Sequence, residues 1–114
     1  MKDRQIYLNH CLMCIGIDPT HKGYYQLLDC ILIQAERHYR NIHYVYSDVA
    51  IKYGIKFKSV MRNISYALSK VEDLARKLSA LLGFTVDDSI LHNGSIINYL
   101  ANLVSFPELF SFSA

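Results

Sequence analysis

The chain has 114 residues, a length that predicts one domain over 1–114, able to bury roughly 65% of its unfolded surface in a core of its own. Apolar residues make up 52% and charged residues 19%, which excludes a disordered chain, and no apolar run reaches the ~18 residues of a membrane span. The net charge of +2 is too small to name a polyanionic partner by itself.

No stretch alternates as a strand does, so the class expected is all-α. Residues 2 to 15 place Ile6, His10, Met13 and Ile17 at helical spacing, with Gly16 ending that helix and Pro19 preventing its continuation. Thr20 is the expected N-cap of a second helix running to about Arg40. Its stripe of Tyr24, Leu27, Leu28, Ile31, Ala35 and Tyr39 has the 3–4 repeat of a central packing helix. Gly23, early in that helix, costs about 1 kcal/mol relative to Ala. The pattern breaks around Asn41 to His43. A short helix is then expected from about Ser47, its cap, to Tyr53, with Gly54 as its stop.

The next helix begins near Phe57 or Lys58 and buries Val60, Ile64, Ala67, Leu68 and Val71. The helical period continues through Leu74, Leu78 and Leu81 to Gly83, and periodicity leaves open whether a kink near Lys70 to Asp73 divides it. A polar connection, FTVDDSILHNG, follows. The last helix starts at Asn93 or Ser95, sets Ile96, Ile97, Leu100, Ala101 and Val104 on one face, and ends at Pro107 before the aromatic tail FPELFSFSA.

Charge is unevenly placed. From Val49 to Val71 there are five basic residues (Lys52, Lys56, Lys58, Arg62 and Lys70) and no acid, against seven basic and ten acidic residues elsewhere. A local +5 beside a −3 remainder is the electrostatic footprint of a nucleic-acid binder. The same stretch has the spacing of a helix-turn-helix. Counted from Tyr46 as position one, Val49 is fourth, Ala50 fifth, Tyr53 eighth, Gly54 ninth, Ile55 tenth and Val60 fifteenth. A small side chain at Ala50 lets two helices approach, and Gly54 supplies the positive φ of the turn. Val49, Tyr53, Ile55 and Val60 are expected to form the wedge between the helices. The eighteenth position, usually apolar, is Asn63, with Ile64 one residue later.

That geometry turns Lys56, Phe57, Lys58, Met61, Arg62 and Ser65 outward, on a helix whose first half meets base edges in the major groove. Arg62 can pair bidentately with a guanine, worth ~1–3 kcal/mol of discrimination, while Phe57 and Met61 suit a thymine methyl. Lys52, Lys56 and Lys70 are assigned to phosphates, which give affinity without sequence information.

Other chemistry has less support. His10, Cys11 and Cys14 form HCLMC, with Cys30 farther along, but there is no second paired motif of a zinc site, so no metal and no cofactor is expected. The histidines show no grouping of nucleophile, base and orienter, so an enzyme is not expected either. Asp87 and Asp88 read as a solvated loop, and Phe106, Phe110 and Phe112 as core or dimer contacts. The N-terminal MKDRQIYLNH lacks the apolar core of a signal peptide; with an odd number of cysteines, three, a cytoplasmic setting is expected, with no membrane partner.

Four blocks in register resemble the C-terminal DNA-binding effector domain of the stage-zero sporulation protein A family, the sporulation response regulators. IGIDPTHKGYYQLLDCI is similar to the family's Gly-(Val/Ile)-Pro-Ala-His-Ile-Lys-Gly-Tyr entrance to its long second helix. YSDVAIKYGIKFKSVMRNISYAL is similar to its Tyr-Pro-Asp-Ile-Ala-Lys-Lys-Phe segment and the recognition helix behind it. LLGFTV and NGSIINYLANLV follow in order. The resemblance covers about residues 12 to 104 and implies a compact bundle of about six helices containing a helix-turn-helix. It also implies binding to short double-stranded DNA boxes, copies on neighbouring boxes or as a homodimer, and contact with RNA polymerase sigma factors.

Against the family's recognition motif, Arg62 matches an arginine, while Met61, Ser65 and Tyr66 stand where it shows glutamate, arginine and histidine. Lys58, Met61, Arg62, Ser65 and Tyr66 are therefore the expected base-facing set. No receiver region precedes these blocks, which leaves two expectations: an excised fragment of a two-domain regulator, or a standalone protein not switched by phosphorylation in the family's way. The leading expectation is a sequence-specific DNA-binding transcriptional regulator. The alternative is an interaction or dimerisation module that keeps the fold without specific DNA binding; a cysteine-based metal or redox sensor is the third.

Overall fold

A helix needs a start, an apolar face and a stop. In the computed structural model, which describes residues 2–107, the chain provides six: α1 (Lys2–Ile15), α2 (Lys22–Arg37), α3 (Ile42–Tyr53), α4 (Phe57–Ser69), α5 (Leu74–Leu82) and α6 (Asn93–Ser105). A single 3-10 turn, Asp88–Ile90, precedes α6, and no strand occurs among the described residues. The fold is an all-α bundle, as the sequence predicts, with a radius of gyration of 13.2 Å. No helix of the described residues is long and apolar enough to cross a membrane.

α2 is the axis of the bundle, packed against α1, α3, α4 and α6. Its predicted stripe holds from Tyr24 to Ala35: Tyr24, Leu27, Leu28, Ile31 and Ala35 are buried, while Tyr39 falls beyond the helix and is half-buried. Each buried Leu or Ile contributes about 1.5–3 kcal/mol from the apolar area removed from water. The one polar interruption of its last turns, buried Gln34, is satisfied on both ends. Its Nε2 donates to the Tyr39 carbonyl (2.9 Å) and to Asn98 Oδ1 (2.8 Å), and its Oε1 accepts from the Tyr39 N–H (3.0 Å). That bond set ties the link after α2 to α6.

Several expectations are corrected. α1 buries Leu8, Cys11, Leu12 and Ile15, whereas Ile6 and Met13 are 61% and 55% exposed and His10 is exposed; of the predicted stripe only Ile17, beyond the helix, is buried. The helix carries apolar residues all round, so two stripes satisfy the same spacing. Thr20 does not cap α2. Its N–H and hydroxyl both donate to Asp18 Oδ1, and the N-cap position is His21. α2 ends at Arg37 rather than about Arg40, where His38 turns left-handed at φ 54°.

α3 begins at Ile42, not Ser47, because the Asn41 side chain accepts from the His43 N–H at 3.0 Å and caps it. The stretch read as a break is thus the start of the helix. The kink left open is a full break: Lys70 to Asp73 are not helical, and Asp73 is left-handed at φ 53°. α6 starts at Asn93 with His92 as N-cap. His92 Nδ1 accepts from the Ser95 N–H, and Ser95 Oγ accepts from the His92 N–H, a reciprocal capping box. Phe106 is exposed, while Phe110 and Phe112 lie outside the described residues.

Candidate nucleic-acid interface

The basic stretch folds as α3, a turn at Gly54, and α4. Gly54 has φ 65°, and the turn closes with two bonds: Ile55 N–H to the Ala50 carbonyl at 3.0 Å and Gly54 N–H to the Ile51 carbonyl at 3.3 Å. This paired pattern satisfies the last orphan carbonyls of α3 and needs a left-handed residue, which glycine supplies without steric cost. Val49, Ala50 and Val60 are buried at the joint, with Ile64 behind them. Two predicted wedge residues are not inside it. Tyr53 and Ile55 sit at its rim, 38% and 36% exposed. The Tyr53 hydroxyl instead reaches α2, donating to Asp29 Oδ2 at 2.6 Å.

α4 is held from three sides. Beneath it, Gly23 of α2 lies so close that an added Cβ would overlap the Asn63 carbonyl. The polar eighteenth position is accommodated there, since Asn63 Nδ2 donates to Gln26 Oε1 at 3.1 Å. From α6, Asn93 Nδ2 donates to Ser65 Oγ at 2.8 Å and to the Met61 carbonyl at 3.2 Å. α3 supplies the third side through the joint.

What remains outward is an arc. At about 100° per residue, Phe57 and Tyr66 fall on opposite edges of α4, with Met61, Ser65, Lys58 and Arg62 in order between them. Lys58, Arg62, Ser65 and Tyr66 are exposed and Met61 and Phe57 half-buried. The base-facing set expected from sequence therefore shares one solvent-facing surface. Within it Ser65 is already bonded to Asn93, and Tyr66 meets the His21 ring edge-on at 5.3 Å with the Lys70 ammonium 4.8 Å from its centroid.

The phosphate-facing set divides. Lys56 is exposed, and none of the ion pairs among the described residues involves Lys56, Lys58 or Arg62. Lys70 is exposed but drawn over Tyr66. Lys52 pairs with Asp29 at 3.0 Å, and that carboxylate also accepts from Tyr53. Burial first, and the bond to Asp29 second, push the Tyr53 phenol well above its ordinary pKa, so it stays a donor. Sequence reasoning missed Asp29, because it lies 23 residues away on another helix; only its place near the polar edge of the α2 stripe hinted at it.

The cysteines do not converge. Cys11 and Cys30 are buried, with burial raising both thiols, and Cys14 is exposed with its Sγ 3.5 Å from His10 Nε2. No three potential metal ligands gather among the described residues. No protein-family model matches the chain, and neither does any curated protein or solved structure.

Proposed function

We propose that the chain is a sequence-specific double-stranded DNA-binding protein, a transcriptional regulator of the sporulation-effector type, that docks α4 in the major groove as the second helix of a helix-turn-helix. The observation that carries this reading is the exposed arc of α4, on which Lys58 and Arg62 have no acidic partner among the described residues. Support also comes from the Gly54 turn between α3 and α4 and from the small, buried Ala50 near it. The blocks resembling sporulation effectors add the regulatory role, with homodimeric or tandem binding and sigma-factor contact as its partners. Arg62 reads a guanine with Lys58 beside it on the base-facing arc, Lys56 neutralises a phosphate, and Met61 and Phe57 offer apolar contact at one edge. A cytoplasmic location goes with this reading. The test is selection of bound sequences from a random duplex pool at physiological salt: one recurring motif is expected, and an unenriched pool would end the proposal.

A second reading is favoured by a different surface. On the outer side of α3, Tyr44 and Ile51 are 60% and 80% exposed, with Ile55 beyond them. An apolar stripe of that kind suits a protein partner, and the chain would then be an interaction module without specific DNA binding. Replacing Ile51 with Lys abolishes pairing under this reading and leaves DNA selection unaltered under the first.

A further inference from the structure

Three of the five histidines stand around α4, from three different places in the chain. His43, exposed at the start of α3, lies against Phe57 with ring centroids 5.9 Å apart. His21, half-buried at the start of α2, meets Tyr66 at 5.3 Å. Phe57 and Tyr66 are the two borders of the outward arc, about 14 Å apart along the helix axis. An imidazole is thus fixed on each flank of the surface that carries Lys58 and Arg62. Histidine is the side chain that gains its charge between about pH 8 and 5, and a flank of a DNA-reading helix is where phosphate backbone passes. Resting on the DNA-binding reading above, we infer that His21 and His43 are phosphate contacts of this interface in their imidazolium forms, so that DNA binding takes up protons.

The neighbours of each ring decide its share. His43 borders a groove lined also by Tyr46, Met61, Ser65, His92 and Asn93, with no acid among its lining residues. Burial keeps the Tyr46 phenol neutral, its pKa pushed up to about 12. His92 does not join in. Its Nδ1 accepts the Ser95 N–H, so a proton there would break the cap of α6 and set a cation at the positive end of that helix. His21 has Lys22 next to it, Tyr66 across from it, and Lys70 beyond on the same tyrosine ring. It also faces Asp18, whose carboxyl is held below the usual range by the Thr20 N–H and hydroxyl and, to a smaller extent, by His21 itself. Asp18 therefore competes with a phosphate for His21, and His43 carries the larger part of the effect.

The experiment uses the whole chain and a labelled random-sequence duplex of about 20 base pairs, since phosphate contacts need no particular sequence. Affinity and its salt dependence are measured from about pH 8 to pH 5.5, the range in which histidine titrates. Binding should tighten on the order of tenfold or more as pH falls, and the salt slope should steepen by up to about 1.8, two phosphate contacts' worth. His43→Gln should remove most of that change and His21→Gln with His43→Gln all of it, while His10→Gln and His38→Gln, away from α4, should keep it. Circular dichroism confirms that each variant is folded. A pH-independent affinity, or a pH dependence surviving in the double variant, overturns the inference and leaves the DNA-binding reading standing. Absence of duplex binding at every pH overturns both.

Discussion

Gly23 on α2 and Asn63 on α4 meet backbone to backbone, with no room for a Cβ between them. A glycine that reads in the sequence as a weak point of α2 is where the backbone of the candidate reading helix presses against the central helix. Gly23→Ala should force the two helices apart and cost about 2–3 kcal/mol, in the range of overpacked cores. Thermal unfolding should show Tm falling by roughly 10 °C or more. A variant melting with the parent protein would show that α4 is not held there.

Arg62 and Lys56 should separate by kind of effect. Arg62→Ala is expected to flatten one position of the selected motif, at a loss of about 1–3 kcal/mol for the preferred base. Lys56→Ala should weaken all sequences alike and lower the salt slope by about one. An unaltered motif after Arg62→Ala would remove Arg62 from base reading.

Asp29 restrains one cation of the expected phosphate-facing set, since it pairs with Lys52 at 3.0 Å while accepting the Tyr53 hydroxyl. Asp29→Asn keeps an acceptor for Tyr53 and releases Lys52. Duplex affinity at low salt should rise, with a salt slope steeper by about 0.9, while stability falls by no more than about 1 kcal/mol. Weaker binding by a folded Asp29→Asn protein would show that Lys52 acts only through its pairing.

Tyr46 gives the fold an alkaline limit. It is buried, and burial, then the nearby Cys30, push its phenol up to about 12. The folded state therefore keeps this proton at pH values where the unfolded chain, near 10, has lost it. Its contribution is complete below about pH 10 and disappears as pH rises toward about 12, a loss on the order of 2–3 kcal/mol. Denaturant midpoints measured across that window should fall, and Tyr46→Phe should flatten the decline. An equal decline in Tyr46→Phe would point to another group.

The parts of the fold that were legible in the sequence have one strong period and one clear stop. The α2 stripe from Tyr24 to Ala35, the Gly54 turn and the buried row Val60, Ile64, Ala67 and Leu68 are of this kind. The burial side of α1 was not legible, because Ile6 and Met13 repeat as regularly as Leu8 and Ile15. The start of α3 was hidden in IHYVY, where β-branched and aromatic residues blur the helical signal and only Asn41 marks the cap. At the candidate site, spacing put Lys58, Arg62 and Ser65 on one surface. It had no access to His21 or Asn93, which reach that surface from distant parts of the chain, or to Asp29, which holds Lys52. Tyr53 was misplaced for the same reason, drawn outward by a carboxylate 24 residues earlier.

The grip on α4 from Gly23, Asn93 and the buried joint has a consequence for how this surface meets a ligand. A helix clasped on three sides by the core opens only when the molecule does, so its amides should exchange as slowly as those of α2. If α4 docks as proposed, no backbone ordering entropy is then due, and the arc would meet its partner with its backbone already shaped. Under the DNA-binding proposal, substitutions at Lys58 or Arg62 would change what is recognised while the clasp keeps where it is presented, leaving specificity free to drift without loss of the fold.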